Sequence, residues 1–247
     1  MNEVIKKKEV SKKITLVIPM DYYFAIPTVS RLFEKKKNNI KSIIVVENFF
    51  SIKKIFYIGL MFNPLFIIKK ILGSFKYKDC LKNIARQNEV NIFYTNNINS
   101  IKTENFLKKQ KTQILVIMSC SQILKKNILK IKNININFHC SDLPKNRGLF
   151  PLFYTYIQHG GKKMFLNLHI INEKIDDGKI LINKVVRIKK MTLDQMYTSA
   201  FLQFEIILKN FINNRYNFKK NDKKLKTYNS NPKFKDYIKY YKICFFS

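Results

Sequence analysis

Apolar residues fall along this chain in short compact runs, and the runs alternate with segments of helical period. Residues 14–19 (ITLVIP) are apolar and rich in β-branched side chains, which predicts a buried strand. Over 24–37 the period becomes helical, with Ile26, Val29, Leu32 and Phe33 on one face. The same alternation continues with a strand over 42–46, a helix over 78–89, a short strand over 91–94 and a helix over 103–110. A strongly apolar strand over 114–118 (ILVIM), a helix over 124–131 and a strand over 134–138 follow. Residues 52–74 are apolar and basic at once and have no clear period. Strands alternating with helices predict parallel βαβ units. Continuous apolar strands predict a sheet covered on both faces. The fold class is therefore α/β, a Rossmann-like, mainly parallel sheet with helices on both sides.

Beyond Phe165 the pattern changes. Residues 164–170 and 179–188 read as two strands around a turn containing Asp176-Asp177-Gly178, and a long amphipathic helix runs over 193–211. The chain divides into a basic N-terminal tail (1–13), a main domain (14–212) and a C-terminal extension or tail (213–247) that is basic, Tyr-rich and weakly periodic. The longest apolar run, 55–68, is broken by Asn63-Pro64 and is too short to span a bilayer. It predicts a buried helix or one lying on a surface. No apolar signal-peptide core follows the N-terminus.

The formal charge of +31 would ordinarily point to nucleic acid or an acidic membrane. Its makeup tempers that reading, because 42 of the 47 basic residues are Lys and only five are Arg. Arg is the bidentate reader of phosphates and bases, so drift toward Lys, Asn and Ile codons explains much of the charge. A nucleic-acid partner is disfavoured without being excluded. Cys80, Cys120, Cys140 and Cys244 are far apart and form no CxxC pair, so neither a disulfide framework nor a metal site is expected. Reduced thiols in the cytoplasm are the default.

The stretch that carries chemistry is 135–151, Asn-Ile-Asn-Phe-His-Cys-Ser-Asp-Leu-Pro-Lys-Asn-Arg-Gly-Leu-Phe-Pro. Asn137 and His139 alternate at a strand end, so both side chains project to one side of the sheet. Open α/β sheets place their ligands at the carboxyl ends of parallel strands. Cys140 faces the other way, and His159 lies in a polar Gln-His-Gly-Gly turn that predicts a solvated loop residue. His169 sits on a strand facing either the core or a ligand.

The pattern Asn-x-His-x-Ser-x-Leu-Pro-x-x-Arg-Gly at 137–148, with Asp-x-Gly at 176–178, resembles the hydrolase-like formyltransferase family. That family includes the glycinamide ribonucleotide, methionyl-tRNA and sugar N-formyltransferases. The resemblance covers most of 14–190. The stretch Phe24-Ala25-Ile26-Pro27 is similar to the start of the family's first helix. Residues 119–124 (SCSQIL) resemble its folate-binding loop, and 169–178 resemble the second folate segment.

The resemblance implies 10-formyltetrahydrofolate as formyl donor, with Asn137, His139 and Asp176 as the catalytic centre. It also implies cofactor contacts from Gln122, Ile123, Leu124, Asn172, Ile175 and Asp176, and a substrate loop carrying Ser141, Lys145 and Arg147. These types suit the reaction: Asn137 and a protonated His139 would stabilise a developing oxyanion, and Asp176 would keep the imidazole charged or take the amine proton. Asp142 departs from the apolar residue usual before Leu-Pro. The Ser-Asp-Leu-Pro-Lys-x-Arg-Gly form most resembles enzymes that formylate an amino sugar on a nucleotide carrier, for polysaccharide biosynthesis. A methionyl-tRNA formyltransferase would need a further C-terminal barrel domain, for which too little chain follows Lys190. Other small amines, and an inactive polyanion-binding protein on the same scaffold, are the alternatives. A homodimer is compatible with all of them.

Overall fold

The strand β1 (Ile14–Pro19) runs through the middle of a seven-stranded sheet, with alternate residues committed to two different cores. Ile14, Leu16 and Ile18 enter one buried cluster and Val17 enters the other. This is the alternation a strand imposes when both sheet faces are covered. The computed structural model describes residues 12–20, 22–34, 39–47, 52–62, 64–219 and 222–246. Most of the expected basic tail, and positions 35–37 of the expected first helix, lie outside those residues.

The remaining strands are β2 (Ile40–Val46), β3 (Asn91–Thr95), β4 (Ile114–Ile117), β5 (Ile134–His139), β7 (Lys163–Ile170) and β8 (Ile180–Arg187). Their order is β3-β2-β1-β4-β5-β7-β8. The first five pair in parallel, and β7 and β8 are added antiparallel. The fold is the expected mainly parallel, Rossmann-like α/β sheet. A two-residue strand β6 (Arg147–Gly148) pairs with β9 (Tyr228–Asn229) outside this sheet.

The helices are α1 (Tyr22–Glu34), α2 (Ile52–Met61), α3 (Pro64–Gln87), α4 (Ile101–Lys109), α5 (Lys126–Leu129), α6 (Pro151–His159), α7 (Leu193–Ile212) and α8 (Phe234–Phe246). On the helix side the larger core takes buried side chains from α1, α2, α3, α6, α7 and α8, and the smaller from α4, α5 and the loop at Leu124. Capping explains where several begin. The Ser100 hydroxyl accepts the Thr103 N–H, and Thr192 with Gln195 forms a reciprocal capping box for α7.

Three stretches differ from the sequence reading. Within residues 52–74, α2 ends at Met61 and α3 starts at Pro64. Their period is obscured because α3 buries Leu81 while leaving Leu65, Ile68 and Leu72 exposed. The helix α6 starts on Pro151 at its first turn and stops at Gly160, which takes the left-handed backbone that favours glycine. His159 is thus the last helical residue, half-buried with its ring 5.0 Å from that of Phe165, and is not a solvated loop residue. The weakly periodic C-terminal segment forms β9 and α8, and α8 buries Tyr237 and Tyr240 against α6.

Candidate active site

A row of polar residues crosses three strands on one sheet face. Asn137 and His139 project from the end of β5 opposite to Ile136 and Phe138, which belong to the larger core. The antiparallel register sets Asn137 directly across from His169 and His139 across from Asn167, and Asn167 across from Asn183. Direct cross-strand partners share a face and lie close enough to bond. The Asn183 amide donates to Asn167 Oδ1 at 2.6 Å, and Asn167 in turn donates to the Ser141 carbonyl.

Asp176 reaches this row from the 171–178 segment. Its Oδ1 accepts from Asn137 Nδ2 at 3.3 Å and lies 3.4 Å from His169 Nε2. Its Oδ2 accepts the Gly148 main-chain N–H at 2.8 Å and stands 3.7 Å from His139 Nδ1. The segment is folded tightly enough that a Cβ on Gly178 would collide with the Ile170 carbonyl. Asp176 itself holds a left-handed backbone (φ 46°), a conformation that non-glycine residues keep where the surroundings impose it. Burial alone would raise the Asp176 pKa. The two histidines and the Gly148 N–H outweigh it and hold the carboxyl well below its ordinary range, so it is a carboxylate.

His139 is buried, and its Nε2 donates to the Asn146 carbonyl at 3.1 Å. Burial lowers its pKa below the ordinary value more than Asp176 raises it. The resting imidazole is therefore neutral, with its proton on Nε2 and a lone pair on Nδ1 toward Asp176. Asp176 at 3.7 Å is too far to make a full charge-assisted bond with it. His169 has the opposite arrangement: Nδ1 donates to the Ile170 carbonyl at 2.9 Å and Nε2 accepts from Asn137 at 3.1 Å.

The loop 141–149 is braced from several sides. Ser141 is buried and donates to the Lys145 carbonyl, while Lys145 is exposed. Arg147 pairs with Asp177 at 2.9 Å and also donates to the Ile175 carbonyl, tying this loop to the Asp176 segment. Asp177 pairs with Lys226 as well, and Asp142 pairs with Lys219 at 2.7 Å. The C-terminal extension closes over the loop. Thr227 Oγ1 accepts the Asn146 N–H, the Thr227 carbonyl accepts the Arg147 N–H, and the Asn229 carbonyl accepts the Leu149 N–H. The Asn146 side chain is locked by Gln158 and Asn229, which fixes the carbonyl that meets His139.

The two expected folate segments leave the sheet on either side of Asn137. One starts where β4 pairs Ile117 with Asn137, the other where β7 pairs Ile170 with Ile136. Both pack on the smaller core, through Leu124 and Ile171, and Lys126 meets Glu173 across them at 3.4 Å. Gln122 braces the Asn96–Ile98 turn, with its side chain bonded to the Asn96 carbonyl and the Ile98 N–H. Ile123 is exposed, Leu124 is core, and Asn172 caps the turn by accepting the Lys174 N–H. Ile175 is half-buried and offers its carbonyl to Arg147. Cys140 sits in the larger core, away from the polar row, and burial pushes its thiol up, so it supplies no thiolate. Among the described residues no group of three or more His, Cys, Asp or Glu is placed to hold a metal ion. The sequence reading missed Asn146 and Asn167 and left His169 undecided, because their roles depend on strand register and loop closure.

This sheet order, with a polar centre at the end of its fifth strand, defines an α/β enzyme scaffold. The sequence pattern described as Formyl transferase matches residues 76–209, and the chain belongs to that family. The bifunctional polymyxin resistance protein ArnA of Wigglesworthia glossinidia brevipalpis is 33% identical over 143 residues, covering 54% of this chain and 22% of that protein. The methionyl-tRNA formyltransferase of Rickettsia prowazekii is 28% identical over 139 residues, covering 55% of this chain and 46% of that one. The chain thus spans half or less of the length of either curated relative. The crystal structure of a 4-N formyltransferase from Francisella tularensis superimposes with a TM-score of 0.55 at 17% identity, covering 94% of this chain and 88% of that one. That likeness shows the fold.

Proposed function

We propose that this chain transfers the formyl group of 10-formyltetrahydrofolate to a primary amine, and that the acceptor is an amino sugar carried on a nucleotide. The observation that carries the reading is the convergence of Asn137, His139 and Asp176, with Asp176 3.3 Å from the Asn137 amide and 3.7 Å from the His139 ring. Family membership supports the reaction class. The donor would supply a formyl carbon open to attack by an amine; as the new C–N bond forms, the formyl carbon's bond to the folate nitrogen breaks, and the proton taken from the amine passes on to that nitrogen.

The neutral His139 takes the role of proton acceptor. Its Nδ1 lone pair faces Asp176, so a proton arriving from the attacking amine is held between an imidazole and a carboxylate. The Asn146 carbonyl at Nε2 stabilises the resulting imidazolium further. The new positive charge then lies beside the oxygen that turns negative. Asn137 donates to that oxygen. Its contact with Asp176 Oδ1 is the longer of its two at 3.3 Å, and is the one released for this purpose.

The sugar acceptor rests on the Ser141–Gly148 motif. The curated methionyl-tRNA formyltransferases favour a second acceptor, and one assay separates the two. The protein is given labelled 10-formyltetrahydrofolate with nucleotide-linked amino sugars, methionyl-tRNA or simple amines. Label on an amino sugar supports the proposal, and label on methionyl-tRNA alone replaces its acceptor. A folded protein that labels no amine overturns the reaction itself and favours a polyanion-binding role.

A further inference from the structure

The helix α8 has three distinct sides. Tyr237, Tyr240 and Cys244 face inward, and the first two hydroxyls reach the Tyr57 and Met61 carbonyls of α2. At positions i, i+4 and i+11, Phe234, Ile238 and Phe245 form a second stripe turned outward, where Phe234 is 81% and Phe245 76% exposed, while Tyr241 between them donates its hydroxyl to the Leu60 carbonyl at 2.8 Å. The stripe residues line an open, largely apolar groove together with Leu60, Tyr237, Tyr241 and the stem of Lys242. Beside the stripe, at the next positions round the helix, stand the exposed Lys235, Lys239 and Lys242. The acidic residue of the helix, Asp236, points elsewhere and accepts the Lys233 N–H at its N-terminus.

A monomer seldom exposes an aromatic stripe of this kind without a partner for it. The lysine row decides what the partner is. A second copy meeting this face across a two-fold axis would bring two lysine rows together, on chains that each carry a formal charge of +31. An anionic bilayer surface satisfies both features: aromatic and aliphatic side chains enter the headgroup boundary while lysines reach the phosphates from the side. The stripe spans about 17 Å of helix at 1.5 Å per residue, enough to lie along a membrane plane. Among the described residues no helix is long and apolar enough to cross a membrane, so the contact is with the surface.

We propose that α8 docks this protein on anionic phospholipid membranes, with Phe234, Ile238 and Phe245 inserted and Lys235, Lys239 and Lys242 at the headgroups. The docking does not depend on the formyl acceptor.

The test is co-sedimentation of the full chain with phosphatidylcholine vesicles and with vesicles that also contain phosphatidylglycerol. The mixed vesicles bind the protein, and the neutral ones bind it about a hundredfold more weakly, as the loss of three surface lysine contacts at roughly fivefold each requires. F234S/F245S weakens binding to the mixed vesicles about tenfold or more, since both rings are lost from the apolar phase. Replacing the three lysines by Ser weakens it roughly fivefold for each. Both sets of positions are exposed, so far-ultraviolet circular dichroism and thermal midpoint stay near those of the parent. Equal binding to both vesicle types overturns the proposal. So does an F234S/F245S protein that binds like the parent, which would leave bulk charge as the cause. A parent dimer that F234S/F245S converts to monomer also overturns it, in favour of a second copy.

Discussion

His169 Nε2 accepts the Asn137 side-chain amide at 3.1 Å, and the two residues are direct cross-strand partners on β7 and β5. The contact sets the orientation of that amide. Its second hydrogen then falls toward Asp176, and its nitrogen faces the site. His169→Phe keeps the ring volume and removes the acceptor, leaving one hydrogen of the half-buried Asn137 amide without its partner and only the longer contact to Asp176 to orient it. Turnover is expected to fall roughly tenfold or more while the KM for the folate donor changes little. Steady-state kinetics check this, and a turnover equal to the parent's removes His169 from the account.

Gly148 is expected to be intolerant of any side chain. Its φ is +94°, and a Cβ there would collide with the Asn229 carbonyl and the Tyr228 ring. Gly148→Ala forces β9 off the loop, and the Gly148 N–H moves away from Asp176. Protease cleavage within 222–231 is expected to quicken and formyl transfer to drop together. An unchanged digestion pattern would contradict the extension's role in closing the site.

Much of this was legible in the sequence, for a definite reason. Strands buried on both faces read as unbroken apolar runs, so the sheet from Ile14 to His139 announced itself, and alternation alone put Asn137 and His139 on one side. His169 could not be assigned that way. Its partnership with Asn137 depends on a register between β5 and β7 that no local pattern encodes. The helix α8 was hidden because Tyr237 and Tyr240 face inward while Phe234 and Phe245 face outward, which erases any single apolar stripe. In α6 the start at Pro151 and the stop at Gly160 were present, but the polar Gln158-His159 pair masked them. For His139 a sequence shows the carboxylate partner that raises its pKa and not the burial that lowers it.

That burial has a consequence for stability. In the folded protein the His139 pKa lies below its ordinary value of 6.5, so from that value downward the unfolded chain binds a proton that the folded one refuses. Stability therefore falls as pH drops from near 6.5 toward the folded value. Asp176 acts lower, contributing stability that is lost only beneath the ordinary carboxylate range. Between pH 7 and pH 5, His139→Asn should show a shallower loss of thermal midpoint than the parent protein. Parallel curves would mean that His139 does not resist protonation.

The central claim is that Asp176, poised between Asn137 and His139, makes formyl transfer possible. Single-turnover transfer of label from 10-formyltetrahydrofolate, compared between the parent and Asp176→Asn, tests it most directly. The amide keeps the shape and loses the charge that stabilises a protonated His139, so the rate is expected to fall about a hundredfold or more while a folate analogue still raises the thermal midpoint. An Asp176→Asn protein that keeps most of the parent rate would contradict the account.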